Sequence, residues 1–265
     1  MNYNKYYYNQ LNYPKIPYDN KTTSKKETIA TSGCGVCSAL MVLNNLYNNE
    51  LMTVKEMAEF SIEHKARDNY GTNMVTLLNS LSKYFERCKY SVTTDINKVI
   101  KHLKNGGVAI LNQGDIDLGY YNVFSSGGHY VYCYKVTNDN KMYVYDPAYT
   151  SKRYKSAPRK NRIVKEIAGK GVVVTSDWVS KACKRYFLIE NNGRIKSPYP
   201  SMKCNANINK NTYVYNTNET KSNTILYKGQ EIELIKTMPV WSVIRYGIDK
   251  KEYGVGLVKT KNVEV

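Results

Sequence analysis

Cys34 is the first cysteine of this chain and a candidate nucleophile. It lies in Thr31-Ser-Gly-Cys-Gly, just ahead of an apolar run. If that run is a helix, the thiol sits at its N-terminus. There the helix dipole and unpaired backbone N–H groups favour thiolate over thiol. Gly33 and Gly35 leave the sulfur open to close approach. A cysteine in such a place reads equally well as a core residue, the usual fate of a free thiol. Cys37, one turn further in, fits the core reading better.

A thiol nucleophile needs a base, and the chain holds three histidines. His64 and His102 sit in charged helical stretches and read as helix-surface residues. His129 follows Ser125-Ser-Gly-Gly and opens a β-strand, where glycines let another group come near. The third member of such a set orients the imidazole through its other nitrogen. Asp146, in Val144-Tyr-Asp-Pro, ends the next strand. If the hairpin turn is the two residues Asn138-Asp139, Asp146 lies opposite Val131 and diagonal to His129 on one face. A three-residue turn would flip that parity. Asp146 also reads as a turn residue before Pro147.

The elements that must position these groups follow from periodicity. Cys34 to Tyr47 is apolar almost all round, so a buried helix is expected, with Ser32 and Gly33 at its N-cap. Residues 1–32 read as an extended, polar, Tyr-rich lead-in. Further helices are expected from Thr53, with Glu56 completing a capping box, over Thr72–Phe85, from Asp95 to the stop at Gly106-Gly107, and over Asp177–Phe187. Strands are expected at Val108–Leu111, Tyr130–Val136 and Met142–Asp146, the last two flanking a turn at Asn138-Asp139-Asn140. Asn191–Ser201 has linker chemistry. Short strands then follow at Thr212–Tyr215, Glu231–Lys236, Ser242–Tyr246 and Gly254–Val258, the pattern of a small β-barrel. The expected organisation is 1–190, a linker over 191–202, and 203–265.

With 265 residues, 42% of them hydrophobic, the chain can build one medium core and a smaller one. No run approaches the ~18 apolar residues of a membrane span. Met1–Gln10 lacks an apolar stretch, so no secretory signal peptide is expected; action outside a cell would need another route of delivery. The net charge is +17, and residues 203–265 hold ten Lys/Arg against six Asp/Glu, so both halves are basic. Lys152–Lys165 is the densest run, with seven basic residues and no acidic one. It reads as a solvated loop. The charge suits polyanions in general, but no nucleic-acid-binding motif accompanies it, and no nucleic-acid partner is expected. The six cysteines are too sparse for a disulfide scaffold. Cys34-x-x-Cys37 has no second pair, so neither a metal nor a cofactor is expected. The excess of Tyr (26) over Phe (4) reads as AT-rich codon usage.

Taken together, Thr28-Ile-Ala-Thr-Ser-Gly-Cys-Gly-Val-Cys-Ser-Ala-Leu-Met-Val-Leu43, Gly71-Thr72, Gly127-Gly-His-Tyr-Val131 and Tyr145-Asp-Pro147 resemble the C39-like cysteine peptidases, a papain-like group. The resemblance covers most of residues 5–190. It implies an α+β fold, N-terminal helices packed on an antiparallel sheet, with Cys34, His129 and Asp146 as catalytic residues. It also implies an upstream Gln contributing to the oxyanion hole, a role that falls on Gln10, ahead of Tyr13-Pro-Lys-Ile-Pro-Tyr18. The family often has Pro-Thr after the Cys-Gly, where this chain has Val36-Cys37.

Residues 203–265 resemble a bacterial SH3-like (SH3b) domain through Thr212-Tyr-Val-Tyr215, Leu226-Tyr-Lys-Gly-Gln230, Trp241-Ser-Val-Ile-Arg-Tyr246 and Tyr253-Gly-Val-Gly-Leu257. Its candidate ligand-contacting residues are Tyr215, Trp241, Tyr246 and Tyr253, with Trp241 reading also as a core anchor. The combination resembles phage and bacterial peptidoglycan hydrolases. It implies an enzyme, endopeptidase or amidase, acting as a monomer on the peptide part of a Gram-positive wall, with anionic wall polymers as further partners. As a phage lysin it would be made in the host cytoplasm and released through a holin, or carried in the virion. A leader-processing cysteine peptidase and a catalytically silent wall-binding module are the alternatives.

Overall fold

The computed structural model describes residues 3–19, 27–48, 50–69, 71–190, 205–216, 218–247 and 253–265. The chain separates into two compact units, one of residues 1–48 and 54–193, the other of residues 49–53 and 194–265. The expected linker over 191–202 lies outside the described residues.

The first unit runs α1 (Ile29–Ser32), α2 (Cys34–Tyr47), α3 (Val54–Glu63), β1 (Arg67–Asp68), β2 (Gly71–Thr72), α4 (Met74–Tyr84), β3 (Tyr90–Thr93), α5 (Ile96–Lys104), β4 (Val108–Gln113), β5 (His129–Val136), β6 (Lys141–Tyr145), α6 (Ser151–Lys155), β7 (Lys165–Ile167), β8 (Gly171–Thr175), α7 (Ser176–Ala182) and β9 (Cys183–Ile189). Seven strands form one antiparallel sheet in the order β3-β9-β4-β5-β6-β8-β7. Side chains alternate across it. Ala109, Leu111, Val131, Cys133 and Val144 point to one face and pack with Val99 and Leu103 of α5 and Val179 and Ala182 of α7. α2 lies against β4 and β5 and is buried from Gly35 to Leu46. That burial is what its all-round apolar sequence requires. The architecture is α+β, with helices packed on an antiparallel sheet.

Two expectations are corrected. The helix expected over Asp177–Phe187 stops at Ala182, and β9 begins at Cys183. Val179, Ala182, Cys183 and Tyr186 have helical spacing, yet all four enter the same core. A helix followed by a strand in the slot between β3 and β4 satisfies that spacing equally well, and pairing on both edges of β9 decides for the strand. The lead-in is not simply extended. It contains a 3-10 turn at Gln10–Asn12 and the short helix α1, and it buries Tyr18 and Ile29 completely.

The second unit holds β10 (Ala206–Ile208), β11 (Thr212–Tyr215), β12 (Lys221–Leu226), β13 (Glu231–Thr237), β14 (Trp241–Gly247), β15 (Tyr253–Lys259) and β16 (Val263–Glu264). They form one sheet, β12-β11-β15-β14-β13-β10-β16. It curls around Ala206, Ile208, Val214, Leu226, Ile232, Ile244, Tyr246 and Val258, a form compatible with an SH3-like barrel. Among the described residues no helix is long and apolar enough to cross a membrane.

Candidate active site

Gly33 is the N-cap of α2 and Cys34 its first residue, half-buried at the helix start. The sulfur therefore lies at the positive end of a 14-residue helix. β2 lies close beside this turn. A Cβ on Gly35 would meet Thr72 Cβ at 2.4 Å, so the approach requires glycine. Thr72 is fixed in turn by Tyr18, whose hydroxyl bonds Thr72 Oγ1 and Ser61 Oγ at 2.8 Å each.

His129 opens β5 opposite Gln113 of β4, and Asp146 directly follows β6. The β5–β6 turn has three residues, Asn138 to Asn140, with Asn140 in the left-handed conformation (φ 58°) and Thr137 bonded to Lys141. Such a turn would by itself put Asp146 on the wrong face. The ladder pairs Val136 with Met142 and Lys135 with Tyr143, then resumes at Cys133 with Val144 and Tyr132 with Tyr145. Tyr134 is thus an extra residue in β5, a bulge. Bulge and turn cancel, and continuing the register by one step sets Val131 opposite Asp146.

The result is a buried pair, with His129 Nε2 2.7 Å from Asp146 Oδ1. The carboxylate takes further hydrogen bonds from the Ala148 N–H (2.8 Å, Oδ1) and the Tyr154 hydroxyl (2.7 Å, Oδ2), and Arg153 Nη1 stands 3.6 Å from Oδ2. With Nε2 committed to Asp146, Nδ1 is the imidazole nitrogen left to bond Cys34. The thiol interacts with His129 and with the backbone N–H groups of Tyr130 and Gly35.

These contacts set the charges. Burial alone would raise the Cys34 pKa. The hydrogen bond to His129, the charge of His129 and the two N–H groups outweigh it and hold the thiol below its ordinary value. Burial alone would lower the His129 pKa, but the Asp146 carboxylate and the bond to Cys34 raise it to about 10. Asp146 is fully buried, which favours its neutral form, yet His129, Arg153 and Tyr154 hold it below the usual carboxylate range. The arrangement therefore stabilises a thiolate–imidazolium pair backed by a carboxylate. Cys37 is fully buried, and burial pushes its thiol far up.

Gln10 joins two parts of the site. Its backbone N–H bonds Pro147 O at 2.6 Å and its side-chain Nε2 bonds Ala30 O at 3.0 Å, while Oε1 is buried with no partner among the described residues. Tyr7 and Asn9 fasten the same segment to Asp146 O and Tyr149 O. His64 and His102 are half-buried and held by carbonyls, His64 by Phe60 and His102 by Val108 and Ile189.

Tyr154, Arg153 and the N–H groups of Ala148, Tyr130 and Gly35 carry no sequence signal beyond lying near Asp146, His129 or Cys34. In the second unit the structure brings Tyr215 and Trp241 together, with ring centroids 4.9 Å apart. Trp241 Nε1 bonds Glu219 Oε1 at 2.9 Å, and Lys259 Nζ lies 3.4 Å from its ring centre. Tyr246 faces the other side of β14 and is buried in the barrel core. Tyr253 pairs with Gly247 in the β14–β15 ladder, and its side chain lies outside the described residues.

The family model of the Peptidase_C39 like family matches residues 5–168, more than half of the chain. No curated protein matches. Among solved structures, the chain is similar to a C39-like peptidase from Bacillus anthracis, with 14% identity over 71% of this chain and 96% of that one, TM-score 0.42. It is also similar to Ly7917, with 10% identity over 66% of this chain and 62% of that one, TM-score 0.22. A second structure of Ly7917, with the hydrolyzing product of MDP, aligns over 77% and 82% at 10% identity and TM-score 0.24. At these scores the likenesses are loose.

Proposed function

The chain belongs to the Peptidase_C39 like family, and from that premise we propose that it is a cysteine peptidase that cleaves an amide bond in the peptide part of Gram-positive peptidoglycan. The observation that carries the chemistry is the hydrogen-bonded series Cys34–His129–Asp146, with the thiol at a helix N-terminus and the carboxylate fully buried. In this reading the Cys34 thiolate attacks the scissile carbonyl. His129, protonated through Nδ1, delivers a proton to the leaving amine, and then takes one from the water that hydrolyses the thioester. Asp146 keeps the imidazole oriented. The second N–H of Gln10 Nε2 and the backbone N–H of Cys34 are the donors for the oxyanion, and one such donor contributes about 3 kcal/mol.

The wall as substrate is supported by the barrel in the same chain and by the basic surface. Residues 203–265 act as an SH3b-like domain that holds the enzyme on the wall and raises its local concentration. The Tyr215–Trp241 pair, with Lys259, is the part of that domain with ligand-binding chemistry. A phage lysin, free or virion-borne, is the setting this reading favours.

The test is turbidity loss of purified Gram-positive walls with wild type, Cys34→Ala and Cys37→Ala, with mass spectrometry of the released fragments. Lysis by wild type and Cys37→Ala but not Cys34→Ala supports the reading. The new termini separate amidase from endopeptidase. Binding without lysis by all three proteins would favour a silent wall-binding module.

A further inference from the structure

The basic run Lys152–Lys165 is folded rather than a solvated loop. It forms α6 and a 3-10 turn at Arg159–Arg162. It fastens to the loop 114–128 that ends at His129, with Arg159 Nη2 3.1 Å from Ser126 Oγ and Arg162 Nη1 3.0 Å from Asn122 O. Arg162 spans the Tyr121 and Trp178 rings at 5.1 and 5.4 Å. Arg153 Nη1 stands 3.6 Å from Asp146 Oδ2. Arg153 therefore stands beside the Asp146 carboxylate, and Arg159 is tied to the loop that leads into His129.

Their charges are not balanced there. Burial and the charge of Arg153 both depress the Arg159 pKa, so the two cations are close enough to repel. The carboxylate acting on both is Asp146, which already serves His129, Ala148 and Tyr154. Arg153 Nη1 and Arg159 Nε are buried and lack a hydrogen-bond acceptor among the described residues. A buried guanidinium N–H without an acceptor is costly. Both side chains keep partial exposure, 27% for Arg153. A planar guanidinium fork matches a carboxylate in shape and charge, and two together suit one anion.

We infer that Arg153 and Arg159 form an anion-binding subsite beside His129 that takes a free carboxylate of the peptide substrate. The identity of that ligand rests on the peptide-hydrolase reading, whereas the subsite rests on the unpaired guanidinium nitrogens and their places beside Asp146 and Ser126. Docking there would neutralise one surplus charge near Asp146 and fix the peptide relative to the His129–Asp146 pair.

The test uses full-length Cys34→Ala protein, titrated with N-acetyl-dialanine, its C-terminal amide, and glycerol phosphate. The acid is expected to bind about tenfold more tightly than the amide, the scale of a charge-assisted pair. Arg159→Gln should erase the difference, and Arg159→Lys should restore part of it. Thermal melting of each variant checks its fold. Equal binding of acid and amide, or discrimination that survives Arg159→Gln, overturns the proposal. So does Arg159-dependent binding of glycerol phosphate without discrimination between the peptides, which would assign the cations to polymer phosphate. Wall lysis by wild type is read separately. Lysis without carboxylate discrimination sinks the subsite and leaves the hydrolase reading standing. Carboxylate binding without lysis does the reverse.

Discussion

His129 Nε2 and Asp146 Oδ1 meet at 2.7 Å across two strands whose register is set by two compensating irregularities, the Asn138–Asn140 turn and the Tyr134 bulge. Asp146 anchors the candidate site because it holds His129, Tyr154 and the Ala148 N–H at once. Asp146→Asn keeps the shape, but its amide presents an N–H where a carboxylate oxygen accepted. The imidazole then loses its tautomer and its charge partner. The expected result is a fall in kcat of about 10²–10⁴-fold. NMR titration should show His129 deprotonating well below its wild-type value of about 10.

The pH profile follows from the same contacts. The Cys34 pKa is held below the ordinary 9.0, and His129 is raised to about 10. Activity should therefore persist through neutral pH and fall on the alkaline side as His129 loses its proton. For stability, the raised His129 pKa gives a contribution that is full below its ordinary 6.5 and is lost as pH rises through about 10. Asp146 has the opposite sign. Its contribution is present above 3.8 and is lost as pH falls through its depressed folded value. Melting temperature measured against pH should fall on both limbs. Asp146→Asn should flatten both.

Gly35→Ala should be destabilising. The new Cβ would sit 2.4 Å from Thr72 Cβ and 2.7 Å from its Oγ1, and Thr72 is tied to Tyr18. Relief requires β2 to move off the start of α2, at about 1–3 kcal/mol. A thermal melt measures the cost. A further drop in kcat in protein that is still folded would show the displaced Gly35 N–H no longer serving the Cys34 sulfur.

Alkylation should single out Cys34 among the described cysteines. Burial pushes Cys88 and Cys133 up to about 12 and raises Cys37 and Cys183 as well. Iodoacetamide at neutral pH followed by peptide mapping should label Cys34 first. Asp146→Asn should slow that labelling severalfold, because thiolate is the reacting species and His129 maintains it.

Much of the site was legible in the sequence because its parts are local. The buried helix from Cys34 to Tyr47 announces itself by being apolar on every side, and it has those same bounds in the fold. His129 at a strand start after two glycines, and Asp146 at a strand end before proline, were equally plain. The strands of the barrel were less complete. Lys221–Leu226 is polar over its first four residues and shows no apolar alternation, and only its pairing with β11 makes it a strand.

What the sequence determined by itself was which residues bear chemistry and which segments bury apolar surface, since side-chain type and short-range period carry that information. Only the tertiary structure decided the partners. A strand face depends on counting every residue of the hairpin, so the third turn residue would have carried Asp146 away from His129 had the Tyr134 bulge, equally invisible in composition, not cancelled it. Cys183–Ile189 became a strand because a slot between two others was open to it. Tyr154 and Arg153 reached Asp146 because the chain turns back through α6 just after β6, a path that no sequence period encodes.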